Sequence, residues 1–351
     1  MENIINICYA PDNNYVIPCA ISIQSLMNNL DSSKKVAFLI LDGGLKDEKK
    51  FLIEQIVALY PNANLSFINV NDEEFLQFYT DAWKTSATYR FKIDSLLKKY
   101  DKVLYLDCDI IVNKSIESLY NIDLGDNIIG MIPDIWYKKQ NKRFPNKKQP
   151  YFNTGVCIFN LDLFRKEKIS DKLISYYLEN QDSIIYPDQD PINAVLDNRI
   201  LELDYRYNWC WHWDKNEYFE ERGVTNINDA VIIHYIFNKP WWSSNIHIAS
   251  KKYFDTIKSI PKNIRKNYSS FKEKKIIYQK SLYLFCLLPI FKISNYYTSE
   301  YWRFFNIPFL KIKRNMNTSK YYLFDLIPIF KVKQTGTLDK LIKYVKDLGK
   351  Y

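Results

Sequence analysis

Two kinds of apolar pattern alternate along the N-terminal third of the chain, and that alternation limits the fold more than any other feature. Asn3–Ala10, Val36–Leu41, Asn64–Val70 and Lys102–Leu106 are short apolar runs of strand length. Between them, Ile17–Leu30, Lys46–Tyr60 and Ala87–Lys99 carry apolar residues at helical spacing. Strict alternation predicts an α/β fold with a mainly parallel sheet, buried on both faces and flanked by helices. Ligands then gather at the carboxyl ends of the strands. Neither GxGxxG nor GxxxxGK[ST] occurs, so the usual dinucleotide and P-loop signatures are missing.

At 351 residues the chain exceeds one ordinary domain. Its 47% hydrophobic and 25% charged residues exclude wholesale disorder and collagen. Charge divides it: residues 1–260 hold 30 Lys and Arg against 35 Asp and Glu, whereas residues 261–351 hold 19 against 5. We therefore expect a catalytic-size body over 1–260 and a basic C-terminal region over 261–351. No apolar run approaches the roughly 18 uncharged residues of a spanning helix. Glu2 and Asp12 flank the first apolar run without Lys or Arg, so a secretory signal is not expected. The six cysteines form no CxxC, which fits free, buried thiols in a cytoplasmic protein better than zinc or disulfides.

The basic region contains a degenerate repeat, Tyr283–Ile293, Tyr301–Ile312 and Tyr322–Val332. Each copy has a proline (Pro289, Pro308, Pro328) followed three places later by a lysine (Lys292, Lys311, Lys331). Proline in every copy predicts short helical or extended pieces broken at that residue. An anionic membrane surface is one partner, reached by apolar wedges with nearby lysines, and a packed subdomain with a basic rim is the other reading. No nucleic-acid reading motif accompanies the charge, so nucleic acid is not an expected partner.

The segment richest in chemistry is Asp107-Cys-Asp109, directly after the fourth strand. In extended chain, residues two apart share a side, so both carboxylates would face one space with Cys108 turned toward the sheet. Paired carboxylates in a partly buried cleft repel one another unless a cation lies between them. A further strand-like run, Asp229–His234, brings a histidine to a comparable position. Two carboxylates plus one imidazole suit Mn²⁺, with the harder Mg²⁺ as the alternative.

Several ordered motifs then give the chain a family likeness. They are Tyr9-Ala-Pro-Asp12-Asn-Asn14-Tyr15, Ala87-Thr-Tyr-Arg90, Asp107-Cys-Asp109, Tyr151-Phe-Asn153-Thr-Gly155, Pro187-Asp188-Gln189-Asp190 and His234-Tyr-Ile-Phe-Asn-Lys239-Pro-Trp241. Over roughly residues 3–245 the chain resembles the family-8 retaining glycosyltransferases, which include lipopolysaccharide galactosyl- and glucosyltransferases and, more distantly, glycogenin. The resemblance implies a GT-A fold, a UDP-glucose or UDP-galactose donor and a glycan or lipid-linked glycan acceptor. It implies that Asp107, Asp109 and His234 hold the metal, with Asp107 also at the donor. Ala10, Asp12, Asn14 and Tyr15 would lie against uracil and ribose, and Arg90 near the diphosphate or sugar. Lys239 would meet the leaving phosphate, and Asn153, Asp188 and Gln189 would line the transferred sugar.

The residues themselves leave blander roles open. Asp12-Asn-Asn reads equally as a turn, Arg90 as a surface cation, and Asp188 or Asp190 as helix caps before Pro191. The step from His234 to Lys239 is five residues without glycine, whereas family members often have six with a glycine, so the diphosphate loop must close differently. Tyr207–Trp213, rich in aromatics, reads as acceptor stacking or as core. Gln189 and Asp188 are the nearest candidates for a nucleophile; since an amide is a poor one, we expect same-face attack by the acceptor hydroxyl. The rivals are a haloacid-dehalogenase-type phosphohydrolase, which also uses Asp-x-Asp after a strand, and a catalytically silent UDP- or carbohydrate-binding module. The expected setting is surface-polysaccharide assembly in the cytoplasm, peripheral to the inner face of the membrane.

Overall fold

The computed structural model describes residues 4–78, 84–210, 227–236, 239–241 and 249–268, together with the backbone of six strands between 278 and 333. The chain divides into two compact units: Met1–Cys210, Asn228–Ile236 and Asp255–Ser270 form the first, and Trp211–Ile227, Phe237–Phe254 and Phe271–Tyr351 the second.

The first unit opens β1 (Ile5–Tyr9), α1 (Val16–Asn29), β2 (Val36–Asp42), α2 (Asp47–Val57), β3 (Ala63–Asn69), as the periodicity predicts. Next come β4 (Lys102–Leu106), β5 (Ile110–Val112), β6 (Ile129–Pro133), β7 (Phe152–Asn160) and β8 (Ile200–Glu202). A seven-stranded sheet runs in the order β3-β2-β1-β4-β7-β6-β8. The first four of these strands pair in parallel, and β7 is antiparallel to both neighbours. Alternation along each strand divides the core between the two faces: Ile7, Tyr9, Phe38 and Leu104 belong to one cluster, Cys8, Leu39, Val103 and Tyr105 to the other. Burial on both sides is why these strands read as continuous apolar runs. Truncating a fully buried residue such as Ile7 to alanine would cost about 2–5 kcal/mol.

The span Ala87–Lys99 is not one amphipathic helix. It is a 3₁₀ stretch, Thr85–Lys92, followed by a single α-turn, Ile93–Leu96. Thr88, Tyr89, Arg90 and Phe91 are all buried, and four consecutive buried residues are incompatible with a helix that keeps one face in solvent.

A second, small sheet carries the chemistry. β9 (Trp209–Cys210) and β10 (Ile232–His234) join β5 in the order β5-β10-β9. β10 is antiparallel to β5, with His234 opposite Ile110, and parallel to β9, with His234 opposite Cys210. Cys8, Cys19, Cys108, Cys157 and Cys210 are buried thiols outside any disulfide, as expected; Cys286 lies outside the described residues.

In the second unit β11 (Tyr278–Leu284), β12 (Leu288–Tyr296), β13 (Ser299–Phe304), β14 (Ile307–Arg314), β15 (Thr318–Leu323) and β16 (Ile327–Lys333) form an antiparallel meander in chain order. Each repeat is therefore a hairpin, extended throughout its strands. Pro289, Pro308 and Pro328 each stand second in the returning strand, next to a bulge in that same strand whose extra residue is Ile290, Phe309 or Ile329. Bulges are where a sheet tolerates the missing N–H of proline.

Candidate active site

Backbone pairing explains how residues more than a hundred positions apart converge. Asp107 leaves the carboxyl end of β4, and Asp109 sits in the turn just before β5. The β5–β10 pairing then sets His234 beside that turn, where the Tyr235 N–H donates to the Asp109 carbonyl at 2.9 Å. His234 Nε2 lies 3.2 Å from Asp109 Oδ1 and 3.7 Å from Asp107 Oδ2. One ligand atom from each residue falls within 4.8 Å of the other two. The carboxylates converge through a turn rather than through the extended alternation expected from the sequence.

Gly155 makes this approach possible. Its carbonyl accepts the Asp107 N–H at 2.8 Å, and a Cβ there would overlap the His234 ring and press on Asp107 Oδ2. Only glycine leaves room for the imidazole.

A relay of amides fixes which nitrogen of His234 faces the carboxylates. The Gly155 N–H donates to Asn153 Oδ1 at 3.0 Å, so that oxygen is an acceptor. Asn208 Nδ2 donates to the same oxygen at 2.7 Å, which turns Asn208 Oδ1 toward His234 Nδ1, 2.9 Å away. Nδ1 therefore carries the proton, leaving the Nε2 lone pair directed at the carboxylates. Asn153 Nδ2 donates to Gln189 Oε1 at 3.2 Å, which also accepts the Thr154 N–H at 3.3 Å. Gln189 Nε2 reaches Asp134 Oδ2 at 3.5 Å. Asn208 and Asp134 were not among the expected site residues. Burial pushes the Asp134 carboxyl up from its ordinary range, opposed by the Trp136 N–H that donates to it.

Arg90 is not a surface cation. It is 3% exposed, its guanidinium stacks 4.3 Å above the Tyr105 ring, and it bridges two carboxylates, Asp107 at 3.1 Å and Asp188 at 3.1 Å. It also donates to the Thr154 carbonyl at 2.6 Å. Asp188 makes no side-chain cap; its carboxylate accepts from Thr154 Oγ1 at 2.6 Å. Asp190 is likewise no cap, being held by Arg143, by the Tyr151 hydroxyl and by the N–H groups of Ile185 and Tyr186. Burial pushes the Asp107 carboxyl up; Arg90 pulls it down and Asp109 adds to the rise. That balance of one buried cation among three carboxylates suits a further positive charge.

Beside this cluster, at the carboxyl ends of β1 and β2, lies a cleft of about 250 Å³ lined by Asp12, Asn13, Asn14, Gly43, Gly44, Lys84 and Tyr89 among others. Asp12 does form the turn, accepting the N–H groups of Asn14 and Tyr15 at 2.7 and 2.9 Å, and it still lines the cleft. Asn13 bridges the two loops, donating to the Gly44 carbonyl and accepting from Lys46 N. Ala10 is buried at the end of β1. Tyr15 is half-buried, and burial followed by the Asp109 and Asp12 carboxylates pushes its phenol up. Lys239 is buried and belongs to the second unit, as do Trp241 and Tyr253, whose rings meet at a tilt of 42° with centroids 5.0 Å apart. Trp209 is fully buried in β9, so it is core rather than an exposed stacking platform; Trp211 and Trp213 lie outside the described residues.

Residues 6–245, which take in β1 to β10, match Glycosyl transferase family 8. The chain belongs to that family. As a member of that family the chain is not a haloacid-dehalogenase-type hydrolase. The chain is 26% identical over 272 residues to General stress protein A of Bacillus subtilis, covering 72% of this chain and 93% of that protein. It is 29% identical to a lipopolysaccharide 1,2-glucosyltransferase of Escherichia coli, covering 78% and 86% of the two chains. It is 30% identical to the lipopolysaccharide 1,3-galactosyltransferase of Salmonella typhimurium, covering 72% and 77%. The galactosyltransferase LgtC, solved with donor and acceptor sugar analogs, superposes with a TM-score of 0.64 at 24% identity over 75% of this chain and 99% of that one. The fold is the GT-A type expected, and as a family-8 glycosyltransferase the chain transfers sugar. Among the described residues, no helix is long and apolar enough to cross a membrane.

Proposed function

We propose that this enzyme transfers glucose or galactose from a UDP-sugar to a glycan or lipid-linked glycan, with retention of configuration and with a divalent cation, Mn²⁺ before Mg²⁺, in lipopolysaccharide or other surface-polysaccharide assembly at the cytoplasmic side of the membrane. The observation that carries the reading is the convergence of Asp107, Asp109 and His234 Nε2 beside the β1–β2 cleft. The donor set fits a cation: two carboxylates and one imidazole whose free lone pair faces them. Held by these three residues, the ion would supply positive charge to the diphosphate as the leaving group gains negative charge.

The remaining chemistry belongs to the chain. Asp12, Asn14 and Tyr15, with Ala10 behind them, would form the uracil and ribose end of the donor site. Lys239 would offer a second positive charge to the departing phosphate. Asn153, Asp188 and Gln189 would surround the transferred hexose. Arg90 acts through others: it holds the Asp107 and Asp188 carboxylates in one orientation.

The Asp188 carboxylate is engaged by Arg90 and Thr154, and Gln189 Oε1 by two donors. Both engagements reduce nucleophilicity. This supports attack by the acceptor hydroxyl on the face the leaving group departs from, its proton passing to the phosphate oxygen. Trapping a glycosyl adduct on Asp188 would overturn that route. The test of the whole reading is a panel of UDP-sugars with Mn²⁺, followed by UDP release and by thermal stabilisation. Turnover of UDP-glucose or UDP-galactose supports it; stabilisation by UDP without donor consumption would indicate a silent binding module.

A further inference from the structure

We propose that the excursion between β6 and β7, residues 134–151, is a cationic rim that selects glycan acceptors carrying phosphate or carboxylate groups. The inference rests on the transferase reading above and adds to it the charge of the acceptor.

The parts of the site follow strand order across the seven-stranded sheet. The cleft lies at the carboxyl ends of β1 and β2, Asp107 leaves β4, and Asn153 lies at the start of antiparallel β7, on the same edge. β6 is antiparallel to β7, so its carboxyl end reaches that edge too, one strand beyond Asn153. At about 4.8 Å between strands it stands roughly 10 Å from β4, on the side away from the cleft. Asp134 follows β6 directly, its Oδ2 3.4 Å from Asn153 Nδ2. With the nucleoside in the cleft and the diphosphate at Asp107, the transferred sugar lies toward this end, and the acceptor meets it there.

From Ile135 to Pro150 the excursion has six cations and no carboxylate. Without these six, residues 1–260 hold 24 Lys and Arg against 35 Asp and Glu, so the rim opposes the charge of the body that carries it. Two of the six hold the loop in place. Arg143 donates to Asp190, and Lys147 donates to Asp197 at 3.0 Å and to the Asn193 carbonyl at 2.9 Å. These contacts staple the loop along the helix Gln189–Val195, which follows directly on Asp188. The Lys147 side chain is 2% exposed, a burial that lysine tolerates when paired. Gln140 Nε2 also meets the Tyr186 hydroxyl at 3.4 Å, two residues before Asp188.

The other four cations, Lys138, Lys139, Lys142 and Lys148, are exposed. Like charges held within eleven residues repel one another, and an anionic partner offsets that repulsion. The donor diphosphate would lie two strands away, at Asp107, which leaves these lysines for another anion. Lysine presents a compact cation with rotatable donors, suited to phosphate or carboxylate groups in varied positions. Because the rim borders the sugar-transfer edge, the anion it receives is a substituent on the acceptor glycan rather than a free polyanion.

The test measures binding of matched glycans to the full-length protein by isothermal titration calorimetry, with and without UDP and Mn²⁺. One pair is mannopentaose and its 6-phosphate, the other maltotetraose and tetragalacturonate. The parent should bind an anionic glycan more tightly than its neutral match, and added salt should shrink that preference. A preference confined to one pair supports the proposal and identifies the anion as phosphate or carboxylate. Exposed charge pairs are worth about two- to fivefold each, so Lys139→Gln/Lys142→Gln/Lys148→Gln should lose roughly ten- to a hundredfold of affinity for the preferred anionic glycan. Affinity for the neutral glycans should stay the same. The corresponding triple arginine variant should keep the preference, and circular dichroism of both variants should match the parent. No preference in the parent under either condition, a preference retained by the glutamine variant or lost in the arginine variant, or equal binding of an oligoadenylate of the same charge would each overturn the proposal. UDP release by the parent from UDP-glucose and UDP-galactose, measured separately with Mn²⁺, tests the transferase reading, so the two failures are distinguishable.

Discussion

His234 Nδ1 and Asn208 Oδ1 are 2.9 Å apart, and this one contact decides which ring nitrogen His234 offers to the carboxylates. Asn208→Ala removes the acceptor for Nδ1–H and lets the ring change tautomer. Loss of such a partner typically weakens metal binding 10–100-fold. We expect that loss in a Mn²⁺ titration, with thermal stability of the metal-free protein changed far less than the affinity. Asn208→Asp keeps the acceptor oxygen and should retain more affinity than alanine.

Gly155→Ala tests the packing of the same ring. The added methyl would overlap His234, so the imidazole or β7 must shift. Mn²⁺ affinity should fall sharply while far-ultraviolet circular dichroism stays unchanged.

Arg90→Ala would leave the Asp107 and Asp188 carboxylates without their shared cation. Removing one partner from a buried ion pair costs about 3–5 kcal/mol, and urea unfolding should register a loss near the lower end, because the Asp107 side chain is 28% exposed. Lysine should not rescue it, since a point charge does not reproduce the fork that spans both carboxylates. Saturating Mn²⁺ should recover part of the lost stability, by neutralising Asp107.

Asp42 sets an acid dependence. It closes the loop after β2 beside the cleft, accepting from Gly44 N at 3.0 Å, Leu45 N at 2.7 Å and Lys50 Nζ at 2.5 Å. Burial alone would raise its carboxyl, but the Lys50 hydrogen bond and the two N–H donors outweigh it and hold it below the usual range. The folded state therefore binds this proton less readily than the unfolded chain. The stabilisation is complete above the ordinary carboxylate range of about 4 and is lost as pH falls through the lower folded value. Urea midpoints measured against pH should show a shallower acid limb in Asp42→Asn than in the parent.

The readable parts of the sequence were those with period or local chemistry. β1, β2 and β4 announce themselves because both faces of the sheet are buried there, β3 is an edge strand read from its spacing and apolar letters, and Asp107, Asp109 and His234 stand out as chemically distinctive residues beside apolar runs. β7 was legible only as the motif around Asn153. Its apolar run Val156–Phe159 was a usable signal, but alternation of parallel strands gives no reason to expect an antiparallel insertion. Asn208 has no pattern at all: one amide among aromatics acquires its role only when β9 pairs with β10. Arg90 read equally well as a surface cation, since three partners from β4, β7 and the turn at Asp188 bury it. In the repeats, proline spacing located the three copies but not their form: the strands run through each proline instead of breaking there, because a bulge beside it accommodates the missing N–H, and that depends on register.

Mn²⁺ binding by isothermal titration calorimetry, in the presence of UDP and compared between the parent and Asp109→Ala, tests the central claim most directly. We predict one ion per chain for the parent, and for the variant a loss of that site and of Mn²⁺-dependent sugar transfer with the fold intact. Equal affinity and equal transfer rates in the two proteins would contradict the assignment of Asp107, Asp109 and His234 as the metal site.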